Sequence, residues 1–146
     1  MTSSFEIEIR NDLLQALEPL VLRLTEELKR LVSTGIDESA YLISFEIYPP
    51  SFISRFPVRF DWFDSDLAQI EGGPLLVGSV GILNKSHYTS EDPLPFALPV
   101  LIDWFSKRWQ EAGGFEYSLP AYIECRGSEA IYDLKNQNWV DRASIT

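Results

Sequence analysis

The first third of the chain carries one apolar stripe with the spacing of a helix. Apolar residues recur at three- and four-residue steps at Phe5, Ile9, Leu13, Leu17, Leu20, Leu24, Leu28 and Leu31. This spacing predicts an amphipathic helix that packs one face against a core. Ser3 with Glu6 fits a capping box at its start, and Gly35 is a stop signal after its end.

Two features modify this N-terminal helix. Pro19 lies inside the pattern, so we expect a kink or a division near Glu18. The segment FEIEI also alternates with a period of two, which is typical of a strand. The first residues therefore form either the start of the helix or an edge strand before a helix that begins at Asn11.

Residues 40–63 change to the period of two that is typical of half-buried strands. Two strands are predicted on either side of the turn YPPS, with Glu46 and Arg59 able to pair across them on the outer face. A third strand, PLLVGSVGIL, follows a turn at EGG, and its two inner glycines indicate a bulge or a close backbone approach.

A second helix is predicted after the polar loop NKSHYTSEDPLP. Its core-facing arc consists of Leu98, Leu101, Ile102, Phe105, Trp109 and Ala112. Gly113 and Gly114 end this helix. Trp104 falls beside the arc, one turn before Arg108, so we expect it on a flank of the helix.

The last segment predicts a hairpin in the same sheet. Two short strands flank the turn RGSE, with Ala121, Ile123 and Cys125 on one face and Tyr122, Glu124 and Arg126 on the other. The whole pattern predicts one α+β domain over residues 1–146. We expect an antiparallel sheet of about five strands, with a long N-terminal helix and a second, central helix packed on one face.

Charge is the one compositional outlier. The chain has 12 Lys and Arg against 22 Asp and Glu, a formal net charge of −10. Such a field repels nucleic acid and anionic membranes and speeds encounters with basic proteins, although it also serves solubility alone. A single cysteine excludes an internal disulfide, and MTSSFEIEIR lacks a secretory signal pattern. Because no apolar run is long enough to span a bilayer, we expect a cytoplasmic protein.

No catalytic, metal-binding or cofactor-binding motif is recognisable. Cys125 and the lone histidine, His87, lack the local signature of a nucleophile and its base. One His and one Cys cannot build a structural zinc site, and the acids of DWFDSD do not match a calcium loop. Neither a P-loop nor a dinucleotide fingerprint occurs. We therefore expect no metal and no cofactor, but a carboxylate site assembled by the fold stays open.

Aromatic residues support binding rather than catalysis. Those expected outside the core are Tyr48, Phe63, Trp104 and Tyr122. Aromatics beside acids, as in RFDWFDSD, are typical of an interface with a basic partner. The alternative is that both faces of the sheet are covered, so that these residues belong to a core.

Three functions fit this sequence. We favour a small acidic binding protein that masks or neutralises a basic protein partner, as immunity proteins and antitoxins do. The second is a dimeric acidic chaperone or adaptor, since the element order and acidity are similar to those of type III secretion chaperones. The third is an enzyme with an unrecognised site. We expect partner contacts at Asp61, Trp62, Asp64, Asp66, Trp104 and Arg108. The oligomeric state is left open.

Overall fold

A computed structural model of the chain contains one mixed sheet and helices that pack on one of its faces. It describes residues 4–47, 55–79, 94–125 and 131–141. The helices are α1 (Ser4–Leu17), α2 (Val21–Ser33) and α3 (Leu94–Glu111). Short 3₁₀ turns lie at Glu18–Leu20 and Gly114–Glu116. The strands are β1 (Leu42–Ile47), β2 (Arg55–Phe63), β3 (Gln69–Ser79), β4 (Ala121–Cys125), β5 (Ile131–Asp133) and β6 (Asn138–Val140).

The predicted α+β class is confirmed, but the sheet differs from the predicted one. It has six strands in the order β3-β2-β1-β4-β5-β6, rather than about five. β4 pairs with β1 in parallel, whereas the other neighbouring pairs are antiparallel. β3 and β4 consequently run in the same direction, so α3 must carry the chain back to the other end of the sheet between them.

The N-terminal segment is helical from Ser4, so FEIEI is not an edge strand. The helical segment divides at the 3₁₀ turn that contains Pro19, as its position predicts. The apolar stripe of α1 and α2 is buried as expected, with no exposed surface at Ile9, Leu13, Leu17, Leu24 and Leu28. At the end of α2, the hydroxyl groups of Ser33 and Thr34 donate hydrogen bonds to the carbonyl oxygens of Lys29 and Arg30, respectively. These bonds satisfy carbonyl groups that have no partner within the helix.

The core lies between the helices and one side of the sheet. Ile43, Phe45 and Ile47 of β1 point into it and have no exposed surface. The Phe45 ring centre lies 4.9 Å from that of Phe105 and 5.2 Å from that of Trp109, both in α3. The predicted arc of the second helix is therefore confirmed as core, and Gly113, with φ of 87°, follows the end of α3.

The connection between β2 and β3 was predicted at the wrong place. Gln69–Gly73 pairs with β2, so EGG is part of the strand and the turn lies at residues 64–68. A close backbone approach does occur, but at Gly72, where a Cβ atom would overlap Asp61 Oδ1 and lie 2.8 Å from the Phe60 carbonyl oxygen. A side chain at residue 72 would therefore displace Asp61.

Several predicted features lie outside the described residues. They are Ser3 of the capping box, Tyr48 and the rest of YPPS, Gly81 of the predicted third strand, residues 84–93 of the polar loop with His87, and the turn RGSE. The side chain of Cys125 also lies outside the described part of the structure. None of the helices in the described ranges combines the length and apolar character needed to cross a bilayer.

Candidate functional site

Strand alternation gives the sheet a second side that none of the described helices covers, which we call the helix-free face. It consists of Leu42, Ser44 and Glu46 of β1, Arg59, Asp61 and Phe63 of β2, Tyr122 and Glu124 of β4, and Ile131 and Asp133 of β5. The register sets Ser44 between Asp61 and Tyr122, and Glu46 between Arg59 and Glu124. Phe63 and Tyr122 thus lie opposite the helices, as the alternation predicts.

Asp61, a predicted contact residue, lies on this face and is held by its neighbours. Its Oδ1 accepts a hydrogen bond from Gln69 Nε2 at 2.8 Å and one from Arg59 Nη2 at 3.3 Å. Burial raises the pKa of Asp61, the Arg59 guanidinium opposes that rise, and the charges of Glu46 and Glu124 add to it. The carboxylates of Glu46 on β1 and Glu124 on β4 therefore lie close enough to act on Asp61 across the face.

Trp62 faces the opposite side of the sheet. It is 6% exposed, and its indole Nε1 donates a hydrogen bond to Tyr117 Oη at 3.0 Å. Burial raises the pKa of Tyr117, and the bond from Trp62 opposes that rise. This burial agrees with the place of Trp62 in the inward row of β2, so little of its side chain is open to a partner, and the contact predicted for it stays a prediction.

Asp64 and Asp66 form the turn between β2 and β3 rather than a charged pair. Asp64 Oδ1 accepts hydrogen bonds from the backbone N–H groups of Asp66 at 2.9 Å and Ala68 at 3.0 Å. This is the Asx-type bonding that Asp favours in turns. Leu67, with φ of 62°, completes the reversal. Asp66 is exposed and lies within reach of a partner, whereas changing Asp64 would also disturb the turn.

Trp104 was expected on a flank of α3, and this expectation is wrong. Its side chain is 5% exposed and belongs to the hydrophobic core. Arg108 is also largely covered, with 15% of its side chain exposed and Nε 2.6 Å from Glu111 Oε1. α1 and α2 both pack against α3, so two sides of this helix are buried rather than one. The pattern of apolar positions along α3 alone does not show the second packing surface.

A cavity of ≈ 190 Å³ opens on the helix-free face. Among the described residues its lining consists of Leu42, Ser44, Phe63, Leu67, Tyr122, Glu124 and Ile131. Ser44 Oγ lies 3.3 Å from Glu124 Oε2 and donates a hydrogen bond to it. Leu67 reaches the cavity from the turn that Asp64 holds, so the acidic turn shapes one of its walls.

Sequence reasoning did not select Ser44, Glu46 or Glu124 as site residues. Alternation placed Glu46 and Arg59 on the outer face of one strand pair and Tyr122 and Glu124 on the outer face of another. It did not show that the two sets lie side by side on one sheet. The joining depends on the parallel pairing of β1 with β4, which aligns Glu46 with Glu124. No periodicity within either strand encodes which strand lies beside it.

A second groove lies between α3 and the strands β5 and β6. It measures ≈ 390 Å³, and the exposed aromatics Phe115 and Trp139 line it. Its acid, Asp103, lies 3.1 Å from Lys107 Nζ, so the charges on this groove are balanced. The groove therefore offers less attraction to a basic protein than the helix-free face does.

The described ranges contain no group of three or more His, Cys, Asp or Glu side chains placed to hold a metal ion. The suggested pairing of Cys125 with His87 falls outside the described side chains. Comparisons with protein-family models, curated proteins and solved structures found no match to this chain.

Proposed function

We propose that this protein binds and neutralises a basic protein partner through its helix-free face. The observation that carries the proposal is that Asp61, Glu46 and Glu124 lie on three neighbouring strands and on one face that no described helix covers. Among the side chains that the structure describes on this face, Arg59 is the one cation, and it lies 3.3 Å from Asp61. The face is therefore negative, and it complements a positive surface.

The charge of the whole chain supports the same partner class. A net charge of −10 accelerates the encounter with a basic protein, and the carboxylates of the sheet then fix its orientation. Phe63 and Tyr122 supply aromatic surface beside these carboxylates, as interface anchors do. Masking of a toxin-like basic surface is the form of the proposal that we favour. A cytoplasmic location stays a prediction.

A dimeric chaperone or adaptor is the second candidate, and the outer side of the N-terminal helices favours it. Ile7, Leu14 and Leu22 are 46%, 45% and 70% exposed, respectively. A second copy that packed on this side would cover these apolar side chains. Light scattering of the purified chain separates the candidates, because a monomer before partner binding favours neutralisation and a stable dimer favours the chaperone.

Capture with matched charge variants tests the proposed function. The tagged chain is exposed at low salt to lysate of the organism that encodes it, and bound protein is released with a salt step. The face variant is Glu46→Gln with Glu124→Gln, and the control is Glu18→Gln with Glu26→Gln on the exposed helical side. Both variants lose the same charge, so only the position of the change differs.

We expect the wild type and the control to release one basic protein at about 0.3–0.5 M salt. The face variant should bind it on the order of a hundredfold more weakly, because two close interfacial charge pairs are lost and each contributes about 1.5 kcal/mol or more. Equal capture by all three proteins, or no basic protein from the wild type, contradicts the proposal.

A further inference from the structure

The cavity on the helix-free face has the size of one large side chain. At ≈ 190 Å³ it is smaller than the roughly 300–1,000 Å³ of pockets for drug-sized ligands and cofactors. It is larger than an apolar cavity of about 150 Å³, which holds benzene. The volume therefore suits a single long side chain of a partner better than a nucleotide-sized ligand.

The lining is apolar along the walls and polar at a few points. Leu42, Phe63, Leu67 and Ile131 form the apolar part, and Ser44, Tyr122 and Glu124 supply oxygen atoms. A matching occupant has an apolar stem and a head that donates hydrogen bonds. The stem covers the aliphatic and aromatic walls while the head meets the oxygens, as long basic side chains do.

The charges around the cavity select a cationic head. Glu124 lies in the lining, Glu46 is its register partner, and Asp61 is the register partner of Ser44 on the other side. Glu124 accepts a bond from Ser44 and has a further interaction, and a carboxylate, with about four acceptor sites, can take a guanidinium in addition to these.

Arginine fits this cavity better than lysine. A guanidinium is planar and presents its donors as a fork that matches a carboxylate, whereas an ammonium is a compact, strongly hydrated charge. The Phe63 and Tyr122 rings add surfaces on which a guanidinium stacks. We infer that this cavity receives one arginine side chain of the basic partner, with its head at Glu124 and its stem against Leu42 and Ile131. The inference rests on the proposed function and specifies its central contact.

The test uses a capped amino acid and needs no partner protein. N-acetyl-arginine N-methylamide is titrated into isotope-labelled chain while the backbone amide signals are followed by NMR. The matched probes are the citrulline analogue, which keeps the shape without the charge, and the lysine analogue. The variants are Glu124→Gln and, as a control, Glu116→Gln at an exposed position away from the cavity.

We expect saturable shifts centred on Ser44, Tyr122 and Glu124 with a millimolar dissociation constant for the arginine probe. Citrulline should bind about tenfold more weakly, as should arginine to Glu124→Gln, because a charge-assisted hydrogen bond is lost. The Glu116→Gln control should bind like the wild type. Shifts spread over all acidic surfaces, equal binding of citrulline, or equal binding of lysine would overturn the inference.

The two proposals fail separately. Saturable arginine binding without capture of a basic protein would support the cavity and remove the proposed function. Capture that depends on the helix-free face, combined with no arginine response at Ser44 and Tyr122, would keep the function and remove the arginine contact.

Discussion

Two tryptophans of this chain differ in burial and allow a direct comparison of residue environments. Trp104 is 5% exposed and Trp139 is 44% exposed. We expect Trp104→Ala to lower the free energy of unfolding by about 3–5 kcal/mol, because it leaves a cavity in the core. Trp139→Ala should cost about 1 kcal/mol or less, since its ring packs mainly on Tyr132 near the surface. Urea denaturation followed by circular dichroism measures both values. Similar costs for the two variants would contradict the placement of Trp104.

Asp61 makes stability depend on pH in a defined direction. Burial is the main reason that its pKa is raised. In the pH range between the pKa of Asp61 in the unfolded chain and that in the folded chain, the folded chain therefore holds the carboxyl proton more tightly than the unfolded chain does. The contribution of Asp61 to stability therefore falls as pH rises through this window, which begins at about pH 4.

The Asp61→Asn variant removes this ionisation and keeps an acceptor for Gln69. We expect its free energy of unfolding to rise relative to that of the wild type as pH rises above about 4, and the difference to stay level once Asp61 is ionised in the folded chain as well. Urea midpoints measured across this range check the prediction. A gain that shrinks with rising pH would mean that the pKa of Asp61 is lowered in the folded chain.

At the scale of elements, the end of α3 depends on contact between Gly114 and the Trp109 ring. A Cβ atom at residue 114 would overlap the indole, which is 1% exposed and cannot move into solvent. Gly114→Ala should therefore destabilise the fold by about 1–3 kcal/mol. Gly35→Ala is the matched control, because a Cβ there meets nothing within 4 Å, and it should be neutral or stabilise by about 0.4–1 kcal/mol. Thermal unfolding of both variants tests this, and a neutral Gly114→Ala would count against the contact.

The elements that could be predicted from the sequence are those in which the apolar periodicity extends over several turns. The stripe from Ile9 to Leu31 and the arc of α3 both follow from apolar spacing. β6 has only three residues, which is too short to show alternation. The turn after β2 was misplaced because two glycines in EGG resemble a turn, whereas Gly72 is required by the close approach of Asp61. The bonds from Asp64 mark the actual reversal.

At the scale of the whole molecule, the sequence predicted an acidic binding surface at Asp61, Asp64 and Asp66 but did not bring Glu46 and Glu124 into it. The charge of −10 is visible in the composition, whereas the alignment of Glu46 with Glu124 exists only after β4 pairs in parallel with β1. Trp104 is the reverse case, a residue that was predicted near the surface and is buried. A second packing surface on α3 covers it, and the helical wheel of α3 alone does not show that surface. Long-range neighbours decided both outcomes, and local patterns do not contain them.

Carboxyl footprinting of the chain, alone and in complex with the basic protein that it captures, tests the central claim most directly. Carbodiimide labelling followed by mass spectrometry reports the accessibility of each acid. The account predicts that labelling of Glu46, Asp61 and Glu124 falls on binding, while labelling of Glu18 and Glu26 on the helical side stays unchanged. Protection of Glu18 and Glu26 with no change on the helix-free face would contradict it.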